Sequence, residues 1–562
     1  MAYDIDKLLV AGISSDKAGV GIGVKPGSVF SFRLSFSGAT SMLMVSMEFS
    51  LSPLNRIPSS AWFEFAIFKL DKARAAEPVR SALDKYCRKV YPEIYTQRVI
   101  LDQGLWMPFA KISPIEGWED FGFKFYEGSS GLAFNTKNGI RNYPYIEPSV
   151  LHHDFYDEDP TEMLKKLKVC DTTRCKASYS SYATASDGSL RYRKEVSSWN
   201  NGTIMPVNGN PNIPGEINAG NYMLSKVDDN YKAETNESKI DGVYVDSIEN
   251  NGNTLDYRSE NFKYLGATPG YDNDHTPVTP FGAWTYDFMS SLAQKVRKER
   301  GPETTIMGNS AYVYMPHLSP FIDVPGTETT WLSNNKYSPP SYDTLFSYRA
   351  NSFQKPYLFL QNSNFNVWTK EMSDKYMQRS LLYGIWPGYF SANAATDTYF
   401  SNPERYNRDR PLFKKYIPVL KTITSQGWEP VTCTAAEELN PTESSSVLYV
   451  ERWGGSSGFP VYFTMRATTS SKDKAKYNVT IDLRCLGVGG KASSETTLNV
   501  TEICQQNATV KSDSKETFFE FEFQDETTYV FKIDGKVPSG ASSLKCSLFT
   551  LIVIAFAAFL GM

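Results

Sequence analysis

The chain has 562 residues, of which 41% are hydrophobic and 21% charged, and its formal net charge is −4. That length is too great for one core and predicts about two to four domains, while the slightly acidic balance excludes a basic nucleic-acid-binding surface. Aromatic residues reach 14%, a richness that suits stacking on the C–H faces of sugars and equally suits a large β-rich protein.

Residues 1–76 alternate in short runs, "SVFSFRLSFSG", "SMLMVSMEFSLS" and "WFEFAIFKLD", broken by Gly, Pro and Ser. The pattern predicts an N-terminal β-sandwich. Residues 77–103 follow as a linker whose apolar spacing over 77–97 is helical, with a Pro near its start. From 104 to 430 strand-like and helical runs alternate. The candidate strands are 104–110, 142–148, 202–208, 241–247, 304–310, 321–328, 356–362 and 386–393, and helices stand at 281–300, 373–384 and 407–427. Eight strands alternating with helices predict a (β/α)8 TIM barrel. Its third strand has the weakest pattern, because 155–240 is long, polar and rich in Asn and Gly. Short alternating runs return over 431–535 and predict a C-terminal β-sandwich. The expected fold is multidomain α/β plus all-β: sandwich, linker helix, barrel, sandwich.

The last segment, 536–562, places the small residues Ser539, Gly540, Ala541, Ser542 and Ser543 before a short polar spacer and an apolar run from Leu548 to Met562. That is the layout of a glycosylphosphatidylinositol attachment signal. The run holds 15 residues, short of the roughly 20 that cross a bilayer. Such a signal operates on secreted chains, yet the start, "MAYDIDKLLVAGISSDKAG", lacks the apolar core of a signal peptide. The expectation is a lipid-anchored, extracellular protein whose signal peptide is missing from this sequence. Sequons at Asn201, Asn236, Asn478, Asn499 and Asn507 fit that compartment. Of seven cysteines, six remain once the tail containing Cys546 is removed. The expected disulfides are Cys170–Cys175, Cys485–Cys504 and Cys87–Cys433. There is no CxxC pair or His cluster with zinc spacing, and no cofactor or metal is expected.

Active sites in such barrels lie at the carboxyl ends of the strands. Those ends offer Trp106, Glu147, Asp246 with Glu249 just beyond, Asn309, Glu328, Gln361 with Asn362, and Asn393 with Asp397. Carboxylates, amides and a Trp over one pore mouth suit sugar hydroxyls and one stacking face. A glycosidase needs two carboxyl groups across the scissile bond, one ionised and one protonated. Asp246 and Glu328, on the fourth and sixth strand runs, are the expected catalytic pair. Trp106, Glu147, Glu249, Asn309, Asn362, Asn393 and Asp397 are the expected substrate-binding residues. Each acid also has a structural reading, as a satisfied buried carboxylate or a solvated loop residue. Asp241, at the start of its strand, is read as structural, and at most one of His152 and His153 lines the cleft, because adjacent side chains on an extended chain point apart.

"GLWMPF", "DFGFKFYEG", "DGVYVDSIE" and "LLYGIWPGYFSANAATDTYFSNPERYNRDRPLFKKYIPVLKTITSQGWEPVT" resemble a glycoside-hydrolase-like family. The layout is similar to retaining α-glycosidases, a group that includes α-galactosidases, α-glucosidases and endo-α-N-acetylgalactosaminidases. The resemblance spans most of 1–530 and implies an Asp nucleophile at Asp246. It places the acid/base less firmly: members carry an Asp on the sixth strand or a Glu on the fifth, whereas here the sixth carries Glu328 and the fifth ends in Asn309. The implied function is a cell-surface glycoside hydrolase acting on extracellular glycans. The alternative is a glycosidase-like surface protein without turnover that binds carbohydrate or a partner cell.

Overall fold

The computed structural model describes residues 8–534, apart from 16, 28–30, 59, 72–76, 97–101, 198, 249–254, 310–314, 395, 440, 442–445, 456–457, 459, 470–473, 487–498, 503–508 and 513–515. At the N-terminal end, Val10–Ser14, Gly19–Val24 and Phe65–Leu70 form an antiparallel sheet, beside a hairpin of Ser31–Ser37 and Met42–Glu48. Along Met42–Glu48 exposed and half-buried residues alternate, the period of a strand with one wet face.

The linker run becomes the helix Pro78–Lys85, one π-type turn at Tyr86–Val90 and a short helix Pro92–Tyr95. Pro78 and Pro92 open their helices, where the missing N–H costs nothing.

The parallel strands fall into two sheets. One holds Leu105–Pro108, Phe123–Glu127 and Arg141–Tyr143. The other holds, in spatial order, Tyr145–Ile146, Gly242–Val245, Thr305–Asn309, Val324–Thr329, Leu358–Gln361 and Trp386–Tyr389. The predicted run 142–148 is therefore two pieces. Pro144, which has no N–H to give a ladder, stands between them, and its carbonyl accepts the Tyr244 N–H at 3.0 Å.

The expected closed barrel is not formed among the described residues, since no ladder joins Trp386–Tyr389 to Leu105–Pro108. Pro108 and Pro387 each remove a donor from these strands. The two still pass close: a Cβ on Gly388 would stand 3.3 Å from the Trp106 carbonyl oxygen.

The run 202–208 does not join the parallel sheets. Its strand, Asn201–Pro206, lies antiparallel between Val150–His153 and Arg193–Val196. The parallel strand absent from the sequence expectation is Phe123–Glu127. It follows Leu105–Pro108 through only a 3-10 turn, Trp118–Phe121, instead of the crossover helix that normally announces a parallel strand.

Helices Phe281–Arg300, Lys370–Leu382 and Pro403–Thr424 correspond to the predicted helical runs, the last two starting and ending a few residues earlier than expected, and the last continues through Pro411 and Pro418. Asn402 caps it by accepting the N–H groups of Glu404 and Arg405.

Two antiparallel sheets follow. One carries Trp428–Glu429, Val447–Trp453, Val461–Thr468, Thr528–Asp534 and Asn499–Glu502, and the other Thr434–Glu438, Lys474–Asp482, Glu516–Gln524 and Thr509–Ser512. Phe463, Met465, Val479, Ile481, Phe519 and Phe531 belong to the core between them. The first strand begins at Trp428, inside the stretch assigned to the barrel. The linker helix is tied to these sheets: Arg80 makes a two-pronged contact with Glu451 at 2.7 and 3.0 Å, and Arg88 meets Glu429 at 2.7 Å. Glu77 accepts the N–H groups of Thr432 and Cys433, both at 3.0 Å.

Cys170 and Cys175 are bonded as expected. Cys433 is bonded to Cys485, which overturns both Cys485–Cys504 and Cys87–Cys433. The register Thr434↔Ile481 brings residue 433 beside the end of its partner strand, and the Asp482 N–H donates to the Cys433 carbonyl. Cys87 is a free thiol buried in the π-type turn, and Cys504 lies outside the described residues. Asn201 and Asn236 are exposed and Asn478 half-buried. The Asn499 side chain, Asn507 and the tail from 535, including Ser539 to Ser543, lie outside the described residues. Among the described residues no helix is long and apolar enough to cross a membrane.

Candidate active site

Gly242–Val245 is buried along its whole length, and its β-branched residues suit a strand covered on both faces. Asp246 follows at once, its N–H held by the Ile146 carbonyl at 2.9 Å. Ser247 then turns the chain with φ of 49°, a strained value for a residue with a Cβ. Its hydroxyl donates to Asp246 Oδ2 at 3.0 Å.

Asn309 ends Thr305–Asn309, the neighbouring strand. Its amide nitrogen donates to Asp246 Oδ1 at 2.8 Å and to Glu328 Oε1 at 3.0 Å. The two acceptor oxygens are therefore no more than about 6 Å apart. The Asn309 side-chain oxygen Oδ1 accepts the Glu328 backbone N–H at 3.2 Å, which orients the amide so that both its hydrogens face the carboxyl groups. Tyr244 adds a hydroxyl 3.0 Å from Asp246 Oδ1 and 3.3 Å from Glu328 Oε1. Asn362 donates to Glu328 Oε2 at 2.6 Å.

On the other side of Asp246, the Tyr145 hydroxyl lies 2.8 Å from Asp246 Oδ2 and 3.2 Å from Glu147 Oε2. Burial first, then the adjacent carboxylates, push the Tyr145 and Tyr244 phenols far above their ordinary value, so both remain proton donors. Burial raises Glu147, helped by the charge of Asp246, although its contact with His152 opposes the shift.

A further carboxyl escaped the sequence reading. Glu127 closes the strand Phe123–Glu127, is buried, and accepts the Trp106 indole N–H at 2.9 Å. Burial, reinforced by Glu328 and Asp246, drives its pKa well above the ordinary range. The signal lay in "FKFYEG", an apolar run ending in an acid and a glycine.

Trp106 does not provide the expected stacking face. It is 0% exposed, packed 5.4 Å from the Tyr244 ring, and room for its indole comes from Gly326, where a Cβ would stand 2.9 Å from the ring. The open aromatic face is Phe109, just past the same strand. It is 45% exposed and lies 5.7 Å from Tyr145 and 5.9 Å from Phe390. Its φ of 53° is held by its N–H on the Glu127 carbonyl at 2.7 Å.

The remaining expectations divide. Gln361 is buried and its amide oxygen accepts the Trp331 N–H. Asn393 braces its own turn through Thr396, and Asp397 is exposed and paired with Arg405. Glu249 lies outside the described residues. Asp241, before its strand, accepts the Asn142 N–H at 3.0 Å, a structural contact. His152 turns to Glu147 and Glu195, whereas His153 is buried against Ser178.

No family model matches the chain, and no curated protein matches it. Among solved structures the chain is similar to glycoside hydrolases. One is the GH36 α-galactosidase AgaA from Geobacillus stearothermophilus, at 8% identity and a TM-score of 0.43, covering 94% of this chain and 69% of that one. Another is a cycloalternan-degrading enzyme from Trueperella pyogenes, solved with isomaltose, at 9% identity and a TM-score of 0.44, covering 94% and 74%. A third is the α-N-acetylgalactosaminidase NagBb from Bifidobacterium bifidum, at 9% identity and a TM-score of 0.40, covering 84% and 72%. At these levels the geometry of the site must carry the functional reading.

Proposed function

We propose that the protein is a glycoside hydrolase in which Asp246 is the nucleophile and Glu328 the acid/base of a retaining reaction. One observation carries the reading: a single amide, Asn309, bridges oxygens of both carboxyl groups. That closeness suits the retaining geometry, where about 5–5.5 Å separates the two carboxyls and leaves no room for an attacking water. Asp246 receives hydrogen bonds from Asn309, Tyr145 and Ser247, which fix the direction of its carboxyl group. Glu328 would give its proton to the leaving oxygen and then take one from the water that opens the glycosyl-enzyme ester. Phe109 offers the apolar face for a sugar, Glu147 a polar group next to Tyr145, and Asn362 one next to Glu328.

The fold reading that accompanies this function is a barrel-like arrangement of the parallel strands within 104–430, flanked by sandwiches at 1–76 and 431–535 and joined by 77–103. The anchoring reading assigns 536–562 to a lipid-attachment signal with Ser539 to Ser543 as attachment positions, so the substrate would be an extracellular glycan. Release from intact cells by phosphatidylinositol-specific phospholipase C tests the anchor. The peptide "SLFTLIVIAFAAFLGM" recovered from mature protein would end it.

The hydrolase reading is tested with chromogenic α- and β-glycosides. Cleavage that disappears in Asp246→Asn, and returns in Asp246→Gly on adding azide as an external nucleophile, supports it. Glycan binding without cleavage by the unaltered protein would favour the carbohydrate-binding alternative.

A further inference from the structure

The three-stranded antiparallel sheet after Pro148 brings a histidine to the site from outside the parallel strands. Val150–His153 pairs with Asn201–Pro206, which pairs in turn with Arg193–Val196. His152 and Arg193 both stand opposite Ile204, and this register sets Glu195 near the His152 ring. His152 Nε2 lies 3.1 Å from Glu147 Oε2, and Nδ1 lies 3.0 Å from Glu195 Oε2. Asn200 donates to the same Glu195 oxygen at 3.2 Å. Arg174, on the helix Thr173–Ser181 behind the Cys170–Cys175 bridge, donates to the His152 carbonyl at 3.1 Å.

An ionised carboxylate only accepts hydrogen bonds, so a ring with both nitrogens against carboxylate oxygens is matched when both carry hydrogen. Burial works against that charge, but the contacts with Glu147 and Glu195 outweigh it and raise the His152 pKa. His153, on the opposite face of the strand, is pushed down to about 4 by burial and then by Arg174, so it adds no competing charge at neutral pH. Tyr145 has one hydroxyl hydrogen and two carboxylate neighbours, Asp246 and Glu147.

We propose that His152 is a positioning residue of the site: as a cation between Glu147 and Glu195 it satisfies Glu147, and so leaves the Tyr145 proton to Asp246. The inference rests on the hydrolase reading for its consequence and on the hydrogen-bond chain for its geometry. When His152 loses its proton, one ring hydrogen remains for two carboxylates, Glu147 and Glu195, and the cation that offset Glu147 is gone, so Glu147 draws more strongly on the Tyr145 hydrogen. Asp246 then loses the Tyr145 donor that holds its Oδ2 in place. The charge on a raised histidine is complete at low pH and disappears as pH rises through its midpoint, so the effect belongs on the alkaline limb of the activity profile.

The test combines NMR with kinetics. The chain has only four histidines, so selective labelling resolves their titrations. His152 should titrate above about 6.5 and fall in Glu195→Gln. In His152→Gln, kcat/KM at neutral pH should drop on the order of ten-fold, the alkaline limb should change shape, and added imidazole should restore part of the rate. Tyr145→Phe should lower activity but abolish any further effect of His152→Gln. A His152 midpoint at or below the ordinary value, or a His152→Gln profile with unmoved limbs, overturns the inference. If His152→Gln does not fold, Glu195→Gln carries the same test with the ring in place. If the unaltered protein cleaves no glycoside, the hydrolase reading falls. The positioning inference then stands or falls on the His152 titration, which must lie above the ordinary value and must fall in both Glu195→Gln and Glu147→Gln.

Discussion

Replacing Asn309 by Asp keeps the shape of the side chain but removes the donor that bridges Asp246 and Glu328. Three carboxyl groups would then meet where one amide now joins two. Two carboxylates about 4 Å apart repel by about 4 kcal/mol at an effective dielectric of 20. Asn309 is buried, so the new acid should take up a proton instead. Starting from an ordinary aspartate value of about 3.9, holding it neutral at pH 7 costs about 4 kcal/mol, at 1.36 kcal/mol per unit. The folded-state pKa of the new group is raised. Its stability contribution is therefore complete below the unfolded value and is lost as pH rises towards the folded value. The variant should nearly match the unaltered protein at pH 4 and fall behind by about 1.4 kcal/mol per unit between pH 4 and 7. The protonated replacement carboxyl has one donor and can serve only one of its two neighbours, so activity should also drop by about 100-fold or more, the scale of losing one preorganised donor. Paired thermal unfolding across pH 4 to 8 and glycoside kinetics read both effects. A stability difference that does not change with pH would refute the reasoning, because it would mean that a carboxyl at position 309 meets neither burial nor negative charge.

Asp256 is buried with one oxygen unpartnered, and burial raises its pKa to about 6. Its stabilising effect is present at low pH and lost as pH rises through about 6. Asp256→Asn should therefore raise the Tm at pH 8 and leave it nearly unchanged at pH 4, and an equal gain at both would contradict the assignment. Glu127→Gln should change stability by less than about 1 kcal/mol at neutral pH and increase it at alkaline pH, since the carboxyl is held neutral; denaturant unfolding at pH 7 and 9 checks both. Removing Cys433 and Cys485 together opens a 52-residue link and should cost about 4 kcal/mol, seen as a lower Tm whose sensitivity to reductant is also reduced.

Asp246 and Asn309 were legible as candidates because each closes a short buried run, and Glu328 because it stands near the end of the next strand. Position along the strand also explains the exchange of Trp106 for Phe109. Trp106 lies within the paired residues, where side chains fill the interior, whereas Phe109 lies one step past the strand end, where the chain turns outward. Glu127 was hidden because its strand has no helix before it, and periodicity finds parallel strands mostly through the helices between them. The run 202–208 was correctly a strand, but local pattern does not say which neighbour a strand pairs with. The same limit governed the cysteines. Cys433 and Cys485 meet through a register between strands 40 residues apart at their starts, a fact of pairing that no spacing rule contains.

The contacts of Arg80 and Arg88 with Glu451 and Glu429 restrict where the chain can be cut. A fragment ending at 430 would retain both arginines and Glu429 but lose Glu451, and Arg80, which stacks on Phe346, would keep its cationic head on an apolar ring without its counterion. The exposed edge would also include Trp428, whose indole N–H now donates to Glu451. Expression of the parallel-strand region alone should therefore yield an aggregation-prone product. Separating it from the rest requires a cut that keeps residues 447–453 with the linker helix, which contiguous truncation cannot do without also keeping everything between.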